Sequence, residues 1–148
     1  NKTNLNTVIL GNLIAGVDNN AFGGCSSLTS ILIPEFITTI GEYTFSGCAS
    51  LINISLPASL TTIGNYTFNG CSSLSSILIP ETVTTIGNYT FNGCSSLTDI
   101  IIPESVTTIG NYADLGRPAD ITAWTSQKSN FTLGNEATNK TSDYAMRF

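Results

Sequence analysis

A 23-residue unit, written again and again, constrains this chain more than anything else in it. Cys71–Gly93, CSSLSSILIPETVTTIGNYTFNG, returns with few changes when it is slid by 23 in either direction. Cysteine falls at 25, 48, 71 and 94, proline at 34, 57, 80 and 103, glycine at 41, 64, 87 and 110, and phenylalanine at 22, 45, 68 and 91. All four cysteines and four of the five prolines sit on this grid. A period of this length makes each unit one coil of a solenoid, able to bury its apolar face only against its neighbours.

Residues 1–24 form a degenerate first unit, with Leu5, Val8, Leu10, Ile14, Val17 and Phe22 in the slots held later by Leu28, Ile31, Ile33, Ile37, Ile40 and Phe45. Lys2 takes the cysteine slot and Gly11 the proline slot. Full units follow at 25–47, 48–70 and 71–93, and another starts at Cys94 and holds through Tyr112. Then Asp114 replaces the phenylalanine and Arg117 the cysteine. The division is therefore a solenoid of nearly five units over 1–112 and a non-repeat cap or extension over 113–148. The chain opens inside a repeat and without methionine, which reads as a processed or excised piece of something longer.

Within a unit, Leu74-Ser-Ser-Ile77-Leu78-Ile79 has the spacing of a short strand, with Ile77 and Ile79 on one face. Pro80 ends it, having no N–H to give to a ladder. Val83 and Ile86 bracket Thr84-Thr85, a β-branched pair suited to a second short strand. Gly87 is expected to supply a positive-φ corner and Asn92-Gly93 another, with Phe91 and Leu74 filling the interior. Coils about 4.8 Å apart turn each slot into a ladder of like residues.

The pattern L-x-x-I-x-I-P-x-x-V-x-x-I-G-x-x-x-F-x-x-C resembles the BspA-like leucine-rich repeat family, over about 112 of the 148 residues. The expected fold is accordingly a leucine-rich repeat solenoid. It is a β-rich right-handed coil with a parallel sheet on one face, short second strands or turns on the other, and an irregular C-terminal cap or extension. The resemblance also implies display on the surfaces of bacteria and some parasitic protists, and binding to host or neighbouring-cell proteins. Two departures stand out: threonine precedes the phenylalanine (Thr44, Thr67, Thr90), and the C-terminal 36 residues match nothing in the repeat.

Charge is scarce: five basic residues against ten acidic, with no lysine or arginine between Lys2 and Arg117. Nucleic acid is not an expected partner, since phosphate binding needs clustered cations. The apolar runs, such as Ile100-Ile101-Ile102, are too short for direct membrane insertion. Histidine is absent, removing the usual general base and commonest metal ligand together. No enzyme, cofactor or metal is expected.

Four sets of residues invite a role. The cysteines belong to successive coils, the first and fourth about 14 Å apart, which rules out one tetrahedral zinc site. They read as small buried thiols, with disulfides between neighbours as the alternative. Glu35, Glu81 and Glu104, interrupted by Ala58, read as a solvated edge. Calcium sharing between Glu81 and Glu104, with Asp99 nearby, is the alternative. Tyr43, Tyr66, Tyr89 and Tyr112 form a further ladder, structural or adhesive. Sequons at Asn1, Asn53, Asn65, Asn88, Asn130 and Asn139 are a weak signal in so asparagine-rich a chain.

The strongest candidate is the slot between the two inward isoleucines, reading Ile9, Leu32, Ser55, Leu78 and Ile101. Strand alternation turns these side chains outward, where a solvated face would prefer threonine, serine or lysine. Thr7, Ser30, Asn53, Ser76 and Asp99 run beside them as a polar rim. An exposed apolar stripe of this kind marks a contact surface. The expected role is a protein-binding or adhesion module of a surface or secreted protein, extracellular, with a protein or glycoprotein partner on a cell surface. The alternative is a structural subunit, a homo-oligomer joined through solenoid ends or through the tail. There Ile121–Trp124 and Asn130–Leu133 are candidate strands and Trp124, Phe131 and Phe148 candidate assembly residues. The tail either caps its own coil stack, pairs with a neighbouring subunit, or has no fixed structure.

Overall fold

A computed structural model describes residues 4–97 and 100–113, together with the backbone of Thr132–Leu133. Its strands are short and all pair in parallel: β1 (Thr7–Ile9), β2 (Gly16–Val17), β3 (Ser30–Leu32), β4 (Thr39–Ile40), β5 (Thr62–Ile63), β6 (Thr85–Ile86), β7 (Thr108–Ile109) and β8 (Thr132–Leu133). Within the repeat every partner lies 23 residues on: Val8 meets Ile31, Val17 meets Ile40, Ile63 meets Ile86 and Ile86 meets Ile109. Sequence slots therefore become ladders, as a leucine-rich repeat solenoid requires.

Each coil has three sides. The first carries the outward slot, paired as β1–β3 and then through single bridges Ser55↔Leu78 and Leu78↔Ile101. The second carries the threonine–isoleucine pairs, as β2–β4 and the four-stranded run β5-β6-β7-β8. The third is a turn whose amides reach the next coil: Phe22, Phe45, Phe68 and Phe91 N–H each donate to the carbonyl 22 residues on, at 2.9 Å every time. The longest sheet thus lies on the threonine–isoleucine side rather than along the outward slot, where proline two residues past that slot ends each ladder early.

Inside, Leu28, Ile37, Phe45, Leu51, Phe68, Leu74, Ile86 and Phe91 are fully buried. The phenylalanine rings lie nearly parallel, centroids 5.5–5.6 Å apart. Thr44, Thr67 and Thr90 are buried polar residues whose hydroxyls donate to the carbonyls of Gly41, Gly64 and Gly87, so burial leaves no hydroxyl unmet. Ala113 fills the same slot and is fully buried.

One local expectation is corrected. Gly87 does not supply a positive-φ corner. The left-handed residue is Tyr89 (φ 53°), as are Tyr43, Tyr66 and Tyr112, with Asn20 in the first coil, while Gly93 does turn positive (φ 76°). Gly87 is there for room: a methyl on it would stand 2.6 Å from the Asn65 backbone nitrogen and 2.8 Å from Asn65 Oδ1.

That close approach belongs to an asparagine ladder. Asn19, Asn65 and Asn88 each accept, through Oδ1, the backbone N–H of the residue one coil on: Glu42, Asn88 and Asn111. Glu42 breaks the series. Its carboxylate instead accepts from Asn65 Nδ2 at 2.8 Å, leaving the Asn65 N–H without that bond. At this joint Gly64 is roomy, its virtual methyl no nearer than 3.4 Å to anything. Gly41, Gly87 and Gly110 each donate N–H to the previous coil at 2.8 Å, whereas no such bond joins Gly64 to Ile40. Strands β4 and β5 are unpaired there, and the first-side ladder also lapses between Leu32 and Ser55.

Beyond the repeat, β8 pairs with β7 of its own chain at a step of 24, Thr108 to Thr132 and Ile109 to Leu133. Of the two candidate tail strands, Asn130–Leu133 contains β8, while Ile121–Trp124 lies outside the described residues.

Candidate docking surface

Alternation on the first side does what the pleat demands. Ile31, Ile33, Ile77 and Ile79 point inward and are buried, and the residue between each pair points out. Ile9 is 74% exposed, Leu32 60%, Leu78 73% and Ile101 78%. Ser55, also exposed, separates the first two from the last two. The register Ile9–Leu32 and the bridges Ser55–Leu78–Ile101 stack them in two short columns on one side.

The rim lies beside them. Thr7, Asn53 and Ser76 are exposed, and Ser30 is half-buried with its Oγ 3.5 Å from Thr7 Oγ1. Asp99, Trp124, Phe131 and Phe148 lie outside the described residues.

Sequence reasoning missed three exposed apolar residues. Leu13 is fully exposed and Phe36 half-exposed, in a slot that later holds Ser59, Thr82 and Ser105. Those hydroxyls bond backbone carbonyls at 2.7–2.8 Å, Ser59 reaching Glu35 and Ile37, Thr82 reaching Ala58 and Leu60, and Ser105 reaching Val83. An aliphatic or aromatic residue where the pattern wants a hydroxyl was the available signal. Ile52, half-exposed, sits in the slot of Thr29 and Ser75.

The remaining ladders are chemically quiet. All four cysteines are buried free thiols. Cys48, Cys71 and Cys94 donate to the carbonyls of Phe22, Phe45 and Phe68 at 3.1–3.2 Å. Hydrogen bonding with the Cys94 thiol, then burial, pushes the Cys71 thiol well above the ordinary range. That is the reverse of what a nucleophile needs. The tyrosine rings stack at 4.5–4.9 Å, each inner ring covering its neighbour's face, so the ladder offers edges and hydroxyls rather than platforms for a sugar. Among the described residues no three of His, Cys, Asp or Glu gather as a metal site. No helix there is long and apolar enough to cross a membrane.

The profile of the BspA type leucine-rich repeat region matches residues 1–115, in six copies. The chain belongs to the BspA-type leucine-rich repeat family. Solved leucine-rich repeat structures agree with its geometry. A leucine-rich repeat protein from Bacteroides ovatus is 33% identical over 76% of the chain, TM-score 0.72. The T. pallidum leucine-rich repeat protein is 27% identical over 89%, TM-score 0.72. A leucine-rich cell surface protein from Faecalibacterium prausnitzii is 26% identical over 74%, TM-score 0.57. The chain spans 33%, 70% and 36% of their respective lengths. No curated protein matches it. In a stack of this kind the outward ladders make the surface, and here the outward slot of the first side carries Ile9, Leu32, Leu78 and Ile101, all exposed.

Proposed function

We propose that this chain is a non-enzymatic protein-binding module of a surface-displayed or secreted protein, docking through the first side of its solenoid. The observation that carries the reading is the exposure of four aliphatic side chains in a slot where exposure costs solubility and adds nothing to the core. Membership of the BspA-type family supports it, as does the likeness to a protein described as a leucine-rich cell surface protein. The partner is a protein or glycoprotein of a cell surface. The test compares the parent with Leu32→Asp/Leu78→Asp against a panel of extracellular proteins by biolayer interferometry. A partner held by the parent and released by the double variant, at unchanged melting temperature, supports docking here. Equal binding by both sinks it.

A further inference from the structure

The charged residues among those described are Asp18, Glu35, Glu42, Glu81 and Glu104, so the described part of the solenoid carries one sign only. Three of the five stand at one place in the repeat, three residues past the outward slot, and all three are exposed. In three coils the two positions are filled together. Leu32-Ile-Pro-Glu35, Leu78-Ile-Pro-Glu81 and Ile101-Ile-Pro-Glu104 pair an outward aliphatic residue with a carboxylate. Ser55-Leu-Pro-Ala58 has lost both at once, and the first coil keeps Ile9 but has Asn12. In the third coil the vacant acidic slot is served by its neighbour, Glu35 Oε2 accepting the Ala58 N–H at 2.9 Å. Among the described residues no bond of that kind occupies Glu81 or Glu104, which stand in adjacent coils joined by the Leu78–Ile101 bridge.

We infer that the partner of this face is a cationic polypeptide segment, one presenting aliphatic side chains to Leu78 and Ile101 beside lysine or arginine that meets Glu81 and Glu104. This rests on the docking reading above and deepens it. A neutral partner covering the aliphatic columns strips water from carboxylates that no cation in the described solenoid offsets, and an acidic partner adds repulsion. A cationic one gains at both points, and steering by a one-signed surface speeds its arrival.

The full chain is titrated, by fluorescence anisotropy, with three labelled peptides of about 14 residues, which as a helix span the ~19 Å of four coil steps from Ile9 to Ile101. One is an amphipathic lysine–leucine peptide, one replaces its lysines by glutamate, and one replaces its leucines by serine. Expected is binding of the lysine–leucine peptide alone, weakened at least about tenfold by raising salt from 0.05 to 0.5 M. Leu78→Ser/Ile101→Ser and Glu81→Gln/Glu104→Gln each weaken it about tenfold, and only the second flattens the salt dependence. Circular dichroism melts confirm that both variants fold. Equal binding of the glutamate–leucine peptide, no binding of the lysine–leucine peptide, or an unaltered salt slope in the glutamine variant overturns the inference. If the serine variant weakens binding and the glutamine variant does not, the docking face stands and only the partner's charge is wrong. If the serine variant binds like the parent, the face itself is wrong.

Discussion

Phenylalanine on phenylalanine, tyrosine on tyrosine and cysteine on cysteine, these slots stack like residues one coil apart, and that decides which residues such a slot accepts. Tyr89 shows how far the preference reaches: it holds φ near +53°, a left-handed conformation that costs a non-glycine residue about 1–2 kcal/mol, because the turn seats its ring between Tyr66 and Tyr112. Glycine is therefore expected to suit this backbone better than alanine. Tyr89→Gly should be more stable than Tyr89→Ala by about 1 kcal/mol in urea titration, with both below the parent. The 23-residue grid made the tyrosine ladder legible but not its backbone, since nothing in the letters distinguishes a tyrosine turned left-handed from one in a strand. The thiol ladder was legible as burial, and it carries a pH signature. Cys71 keeps its proton in the fold, whereas an unfolded thiol ionises near 8.5. Above that pH the folded state holds a proton that the unfolded chain gives up. Its stabilisation is therefore complete below about pH 8.5 and lost as pH rises beyond it, by up to about 1.4 kcal/mol per unit for one thiol. Denaturant midpoints between pH 7 and 10 should fall, and less steeply in Cys71→Ala.

Among the elements, strength follows the asparagine ladder more than the strands. Where Asn65 and Asn88 cap the next coil's amides, β5, β6 and β7 pair without interruption; where Glu42 stands instead, pairing lapses on two of the three sides. Glu42→Asn should restore the Asn65 N–H bond, raise stability by up to about 1 kcal/mol, and slow hydrogen exchange at Gly64 and Ile63. Unchanged exchange there would leave the break unexplained. The two glycines give an independent check. Gly87→Ala pushes a methyl onto the Asn65 backbone and should cost about 1–3 kcal/mol, while Gly64→Ala, in the roomier joint, should cost less than about 0.5 kcal/mol. Period and β-branching made the second-side strands readable in the sequence. The break was not readable, because one glutamate among asparagines looks like surface variation until its carboxylate is seen reaching sideways to Asn65 Nδ2.

At the scale of the whole molecule, the core and the docking face are two sides of one alternation. Ile77 and Ile79 are buried because they point in, and Leu78 is bare because it points out. That much follows from strand geometry, so the outward slot of Ile9, Leu32, Leu78 and Ile101 was legible in the sequence. Leu13 and Phe36 were not, since they lie past the proline, where no alternation assigns a side. Whether the column is a surface or part of a core is settled most directly by the thermal stability of Leu32→Asp/Leu78→Asp measured beside Phe45→Ala. Expected is a double variant that melts within a few degrees of the parent, while Phe45→Ala, emptying a fully buried slot, loses about 3–5 kcal/mol. A double variant that unfolds as early as Phe45→Ala would contradict the whole scheme, placing Leu32 and Leu78 inside the protein and leaving no face for a partner.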